Sequence, residues 1–128
     1  MRYIIDSYAW IEYLEGSKLG EKIHQIISNE KNEIFSINLT IAEIVSRVKR
    51  KKRDTETAYR AITANSKVAE ITPKLAKQAG LFHSEIKKKI KDFGLADAII
   101  LTLAKELNAK IITGDPHFKG FKEAVFMK

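Results

Sequence analysis

Tyr3-Ile4-Ile5-Asp6 opens the chain with a short apolar run closed by an acid. Strands buried on both faces read this way, so the run predicts a central strand of a parallel sheet. Lys110-Ile111-Ile112-Thr113-Gly114-Asp115 repeats the pattern near the other end. Further strands are expected at residues 34–37 and 68–71, with a short one at 124–127. The segments between them have helical period. Trp10, Ile11, Tyr13 and Leu14 form an inward face stopped by Gly16, and Leu19, Ile23, Ile26 and Ile27 form the next. A helix starting at Thr40 carries Ile41, Glu43, Ile44, Val45 and Val48 and runs into Lys49-Arg50-Lys51-Lys52-Arg53; another covers 54–65. Thr72 caps a helix with Pro73 in its first turn and a stripe of Leu75, Ala79, Phe82, Ile86 and Ile90, stopped at Phe93-Gly94. Residues 96–107 are apolar on most faces and predict a central helix. Strands alternating with helices imply an α/β/α sandwich around a mostly parallel sheet of four to five strands.

With 45% hydrophobic content, 128 residues are enough to bury a sizeable core in one domain, 1–128. No apolar run approaches the roughly 20 residues that span a bilayer, and an acid at position 6 does not suit a signal peptide. The absence of cysteine removes disulfide, thiolate-metal and cysteine-nucleophile chemistry. A soluble cytoplasmic protein is expected. The net charge is +7, from 23 Lys+Arg against 16 Asp+Glu. A basic surface of this kind attracts polyanions.

Four acids stand where apolar strands end or helices begin. Asp6 closes the first strand, Glu43 lies in the start of a helix, Asp97 heads an apolar run, and Asp115 follows Thr113-Gly114. Strand ends and adjacent helix starts of an open parallel sheet converge on one crevice. Each acid alone has an ordinary explanation: Thr40 with Glu43 fits a capping box, Asp97 suits a helix dipole, and Asp6 and Asp115 suit N-caps. Together, four converging carboxylates call for a divalent cation of the hard, oxygen-binding kind, Mg²⁺ or Mn²⁺. With these four set aside, 12 acids face the 23 cations, an excess of eleven. Such a distribution suits an enzyme acting on a phosphate polymer. His24, His83 and His117 are scattered without ligand spacing, and no glycine-rich phosphate loop is present.

Ile4-Ile5-Asp6-Ser7, Thr40-x-x-Glu43-Ile44, Leu95-x-Asp97-Ala98 and Thr113-Gly114-Asp115-x-x-Phe118 together resemble the PIN-domain nucleases. Their order and spacing are similar to the VapC-like toxin branch of prokaryotic toxin–antitoxin pairs. The resemblance covers nearly the whole chain. It implies a Mg²⁺-dependent endoribonuclease, Mn²⁺ able to substitute, that leaves a 5′-phosphate and a 3′-hydroxyl. Asp6, Glu43, Asp97 and Asp115 would be the catalytic metal-site residues, with Ser7 and Thr113 supporting them. It also implies RNA as substrate, a homodimer, and a small antitoxin covering the active-site groove. Trp10, Ile11, Tyr13 and Leu14 would either pack the core or join those contacts. One departure stands out: some relatives carry a further acid two residues after the position of Asp115, where this chain has His117.

Two other readings share the features of size and acidity. A receiver-like Mg²⁺-binding signalling domain would need neighbouring acids after strand one, whereas Asp6 stands alone there. A non-catalytic RNA-binding PIN-like domain would act through its basic tracts, residues 49–53 and Lys87-Lys88-Lys89 with Lys91, but would not need four intact acids.

Overall fold

The computed structural model describes residues 1–127. Five strands, β1 (Arg2–Ile5), β2 (Glu33–Ile37), β3 (Lys67–Ala69), β4 (Lys110–Thr113) and β5 (Ala124–Phe126), form one sheet in the order β3-β2-β1-β4-β5. Every neighbouring pair is parallel; Ile4 is paired with Phe35 on one side and Ile111 on the other. The expectation of a mostly parallel sheet is met by an entirely parallel one. Six helices supply the connections: α1 (Ser7–Glu15), α2 (Lys18–Ser28), α3 (Asn38–Arg50), α4 (Thr55–Asn65), α5 (Pro73–Ile86) and α6 (Leu95–Leu107).

The two faces of the sheet bury different partners, as the period-two alternation of a strand requires. Ile4, Ile37 and Ile111 face α5 and α6, joining Leu75, Phe93, Ala98 and Leu101. Their neighbours Ile5, Ile34 and Ile112 face the other way, onto Trp10, Ile23, Ile44 and Ile62 from α1 to α4. Trp10 is fully buried there and donates its indole N–H to Ser36 Oγ at 2.8 Å. It is therefore core, whereas Ile11, Tyr13 and Leu14 are only partly buried. Among the described residues, no helix is long and apolar enough to cross a membrane.

Element ends shift by a residue or two in several places, and two boundaries differ for identifiable reasons. The third helix begins at Asn38, not at Thr40, and its N-cap is Ile37 without a side-chain cap. Thr40 is thus interior to the helix and buried, so the expected capping box with Glu43 does not form. The fifth helix ends at Ile86, well before Phe93-Gly94. Ile90 and Phe93 still return to the core through a chain of turns in which Ile90 N–H donates to Ile86 O and Phe93 N–H to Ile90 O. The apolar stripe continues at helical spacing through a turn that is not helix.

Candidate functional site

Chain order runs outward from β1 through β2 to β3 on one side of the sheet, and the sheet continues from β1 to β4 and β5 on the other. The β1–β4 boundary is therefore the topological switch point, where a crevice opens beyond the carboxyl ends of the strands. Asp6 directly follows β1, and Asp115 follows β4 by two residues. The first turn of α6 supplies Asp97, and the second turn of α3 supplies Glu43.

Three of the four acids do serve as local caps. Asp6 Oδ1 accepts the Ala9 N–H at 2.8 Å at the start of α1. Asp115 Oδ1 accepts the His117 N–H at 2.9 Å, starting a short 3-10 turn, Pro116–Phe118. Asp97 Oδ2 accepts the Gly94 N–H at 3.3 Å. Glu43 caps nothing. Capping fixes these carboxylates in place without using all their acceptor capacity, since each carboxylate has two oxygens.

The electrostatics link all four. Asp6 is 3% exposed, and its carboxyl is pushed up to about 7. Burial is the main cause, the charges of Asp115 and Asp97 add to it, and hydrogen bonds from Thr113 and the Ala9 amide oppose it. Burial and the Asp97 charge raise Glu43, against a hydrogen bond from Ser7. Burial and Asp115 raise Asp97, against His117 and the Gly94 amide. Asp6, Glu43 and Asp97 thus each feel at least one other acid, an unfavourable arrangement that either protons or a cation would relieve. The two hydroxyls singled out in the sequence touch the acids directly, Ser7 on Glu43 and Thr113 on Asp6. Thr113 Oγ1 also accepts the Asp115 N–H at 2.9 Å. Gly114 has no side chain because the Tyr8 ring lies against it; a Cβ there would collide with the ring.

His117, marked in the sequence only by its place two residues after Asp115, lies in the cluster. Its Nδ1 is 3.0 Å from Asp97 Oδ2 and 3.7 Å from Asp115 Oδ1, and its Nε2 is 3.3 Å from Asp92 Oδ2. The hydrogen bond to Asp97 is the main cause holding its pKa above the usual imidazole value, and Asp92 and Asp115 reinforce it. Among the described residues, Asp97, Asp115 and His117 form a group whose donor atoms lie within 4.8 Å of one another. Asp6 and Glu43 are outside that tight group. The only sequence signal for His117 is the Asp115-x-His117 spacing, and its partners Asp97 and Asp92 are remote in the chain.

The site opens onto a cleft of about 300 Å³ lined by Ser7, Tyr8, Ile11, Glu12, Arg47 and Asp115. Ile11, Glu15 and Arg47 also border a second groove of about 220 Å³, floored by Leu14, Val48 and Ala58 and rimmed by Lys51 and Arg53.

Comparisons with known proteins agree with this architecture. A family model described as the PIN domain matches residues 3–124. The fold is similar to that in a toxin–antitoxin complex from Klebsiella pneumoniae, at 20% identity, 98% coverage of both chains and a TM-score of 0.77. VapBC2 from Rickettsia felis, bound to a DNA fragment from its promoter, is 18% identical over 98% of this chain and 97% of that one, with a TM-score of 0.76. The sarcin–ricin loop cleaving toxin VapC20 of Mycobacterium tuberculosis is 15% identical over 94% of this chain and 97% of that one, with a TM-score of 0.71. At these identities the likeness shows the fold alone. No curated protein sequence gives a significant match.

Proposed function

Because the chain belongs to the PIN-domain family, we propose that it is a metal-dependent endoribonuclease, the toxin of a toxin–antitoxin pair, acting as one cytoplasmic domain. The observation that carries this reading is the convergence of Asp6, Glu43, Asp97 and Asp115 at the switch point of the sheet, where burial and a neighbouring acid raise Asp6, Glu43 and Asp97. The donor set fits Mg²⁺ or Mn²⁺: carboxylate oxygens, that of Asp115 lining a cleft, with hydroxyls and amides that orient them. Solved relatives of this fold include toxin–antitoxin complexes and a toxin that cuts the sarcin–ricin loop, which favours RNA as the substrate here too.

Asp6, Glu43, Asp97 and Asp115 would hold the ion, with Ser7 and Thr113 as supports. When bound, a divalent cation neutralises charge on the scissile phosphate and makes a water more acidic. The rest falls to the chain's own groups. Thr113 and the Ala9 amide hold the Asp6 carboxylate in one orientation, and the Gly94 amide does the same for Asp97. Arg47, in the wall of the cleft, supplies a fixed positive charge for a neighbouring phosphate. The tract at residues 49–53 and the one at Lys87-Lys88-Lys89 add sequence-independent attraction for the polymer. The apolar groove shares Ile11 and Arg47 with the cleft, so an antitoxin segment lying in it would block the substrate. A second copy of the chain completes the expected assembly.

The test is cleavage of a mixed structured RNA pool with Mn²⁺ or Mg²⁺, comparing the wild type with Asp97→Asn and an EDTA control. Metal-dependent cutting that falls about 100-fold or more in the variant is expected, since even outer-sphere partners of a metal cost roughly 10–100-fold. Equal cutting by both proteins would sink the assignment.

A further inference from the structure

His117 places an imidazole among the acids, and its surroundings match those of a ligand. The short 3-10 turn fixes its backbone: Asp115 Oδ1 caps its N–H, Pro116 precedes it, and buried Phe118 anchors the turn. One ring nitrogen, Nδ1, faces the Asp97 and Asp115 carboxylates at 3.0 and 3.7 Å. The other, Nε2, faces Asp92 Oδ2 at 3.3 Å. A metal-binding histidine characteristically gives its second ring N–H to a carboxylate, which selects the tautomer and orients the ring. Asp92 stands in that position. With Nε2–H directed to Asp92, a cation that displaces the Nδ1 proton now bonded to Asp97 would meet the Nδ1 lone pair on the side that faces Asp97 and Asp115. Metal–ligand bonds of roughly 2.0–2.2 Å put adjacent octahedral ligand atoms about 3 Å apart. The 3.0 Å separation from Asp97 satisfies that already, and the 3.7 Å separation from Asp115 is within a small side-chain adjustment. The other histidines are committed elsewhere, His24 stacked on Tyr13 and His83 bonded to the Phe93 carbonyl.

We propose that His117, oriented by Asp92, is a nitrogen ligand of the metal site and biases it toward Mn²⁺ and similar transition ions over Mg²⁺. Imidazole suits first-row transition ions; Mn²⁺ shares the preference of Mg²⁺ for oxygen but accepts a nitrogen ligand more readily, whereas Mg²⁺ gives up its waters reluctantly. This inference rests on the metal-dependent reading above and deepens it by naming the ion class and the residue that selects it. The rival role for His117 is a simple counter-charge that pairs with Asp97 and Asp92 and leaves when a cation arrives.

The experiment is pulsed electron paramagnetic resonance of the Mn²⁺-loaded full chain, prepared with natural-abundance and with ¹⁵N-labelled histidine. A directly bound ¹⁴N coupling that changes to the ¹⁵N pattern on labelling is expected, and it needs no variant that might misfold. In parallel, calorimetry of His117→Gln should show Mn²⁺ affinity falling about tenfold while Mg²⁺ affinity changes much less, and Asp92→Asn should weaken Mn²⁺ binding by a similar factor with the nitrogen coupling retained. Mn²⁺ bound by oxygen alone, or equal losses for the two ions in His117→Gln, would overturn the nitrogen-ligand assignment and leave the nuclease reading intact. If neither ion binds the wild type, both fall.

Discussion

The Thr113 hydroxyl joins the ends of two adjacent strands, donating to the Asp6 carboxylate after β1 while accepting the Asp115 amide after β4. Thr113→Val keeps the shape and deletes both bonds. Asp6 then loses a hydrogen bond that favours its charged form, and the Asp115 N–H loses its acceptor. Mn²⁺ affinity should fall roughly tenfold, as for other orienting partners of a metal site. Thr113→Ser, which retains the hydroxyl, should restore it. Calorimetric titration of the two variants decides the point, and unchanged affinity in Thr113→Val would remove Thr113 from the site.

The metal-free protein should lose stability as pH rises from about 4 to about 7. The Asp6 carboxyl has a folded value of about 7 against an ordinary 3.8, so within that window the folded state holds a proton that the unfolded chain has released. Stability is then highest below the window, declines through it and levels off above about 7, by about 4 kcal/mol at most from Asp6. Glu43 and Asp97, also raised, act in the same direction. Glu33 and Asp54, held low chiefly by Lys67 and Thr57, act only at more acid pH. Urea unfolding in EDTA across this range measures the slope, and saturating Mn²⁺ should flatten it because the ion replaces the proton. Stability that climbs with pH in EDTA would contradict the crowding of these acids.

Gly20 lies where α2 crosses α1, and a Cβ there would collide with the main-chain carbonyl of Glu12. Helix propensity alone would reward Gly20→Ala by about 1 kcal/mol. Backbone cannot move aside as a flexible side chain can, so the overpacking cost of about 1–3 kcal/mol should win, with a net destabilisation of up to about 2 kcal/mol. Chemical denaturation reports the sign directly.

Thr40 Oγ1 is the buried side-chain polar atom left without a hydrogen-bond partner among the described residues. An unpaired buried hydroxyl costs about 1–3 kcal/mol, and an apolar replacement of the same shape is often neutral or stabilising. Thr40→Val should therefore leave the melting temperature unchanged or raise it by a few degrees. A clear drop in a thermal melt would show that the hydroxyl has a partner when the protein is in solution.

Much of the fold is legible in the sequence because its causes are local. Apolar runs such as Ile4-Ile5 and Ile111-Ile112 alternate between the two faces of a buried strand whatever lies on either side. Thr72, Asp6 and Asp115 each accept an amide within three residues, so the helical turns they start can be read from neighbouring residues alone. The start of α3 cannot, because Thr40 looks like a cap from its neighbours, while in the fold it is buried inside the helix. The end of α5 is hidden for a similar reason: Phe93 reaches the core whether its segment is helix or turn.

From the sequence alone came the alternation of elements, the layered parallel sheet and the positions of four acids at the ends of elements. Only the tertiary structure decided the strand order, and with it the switch point that sets Asp6 beside Thr113. It also brought His117 between Asp97 and Asp92, residues 20 and 25 positions away in the chain. The division has a physical basis. Burial period and capping are set by forces acting over a few residues, whereas the meeting of distant side chains depends on how α6 and the segment before it pack against the carboxyl end of β4.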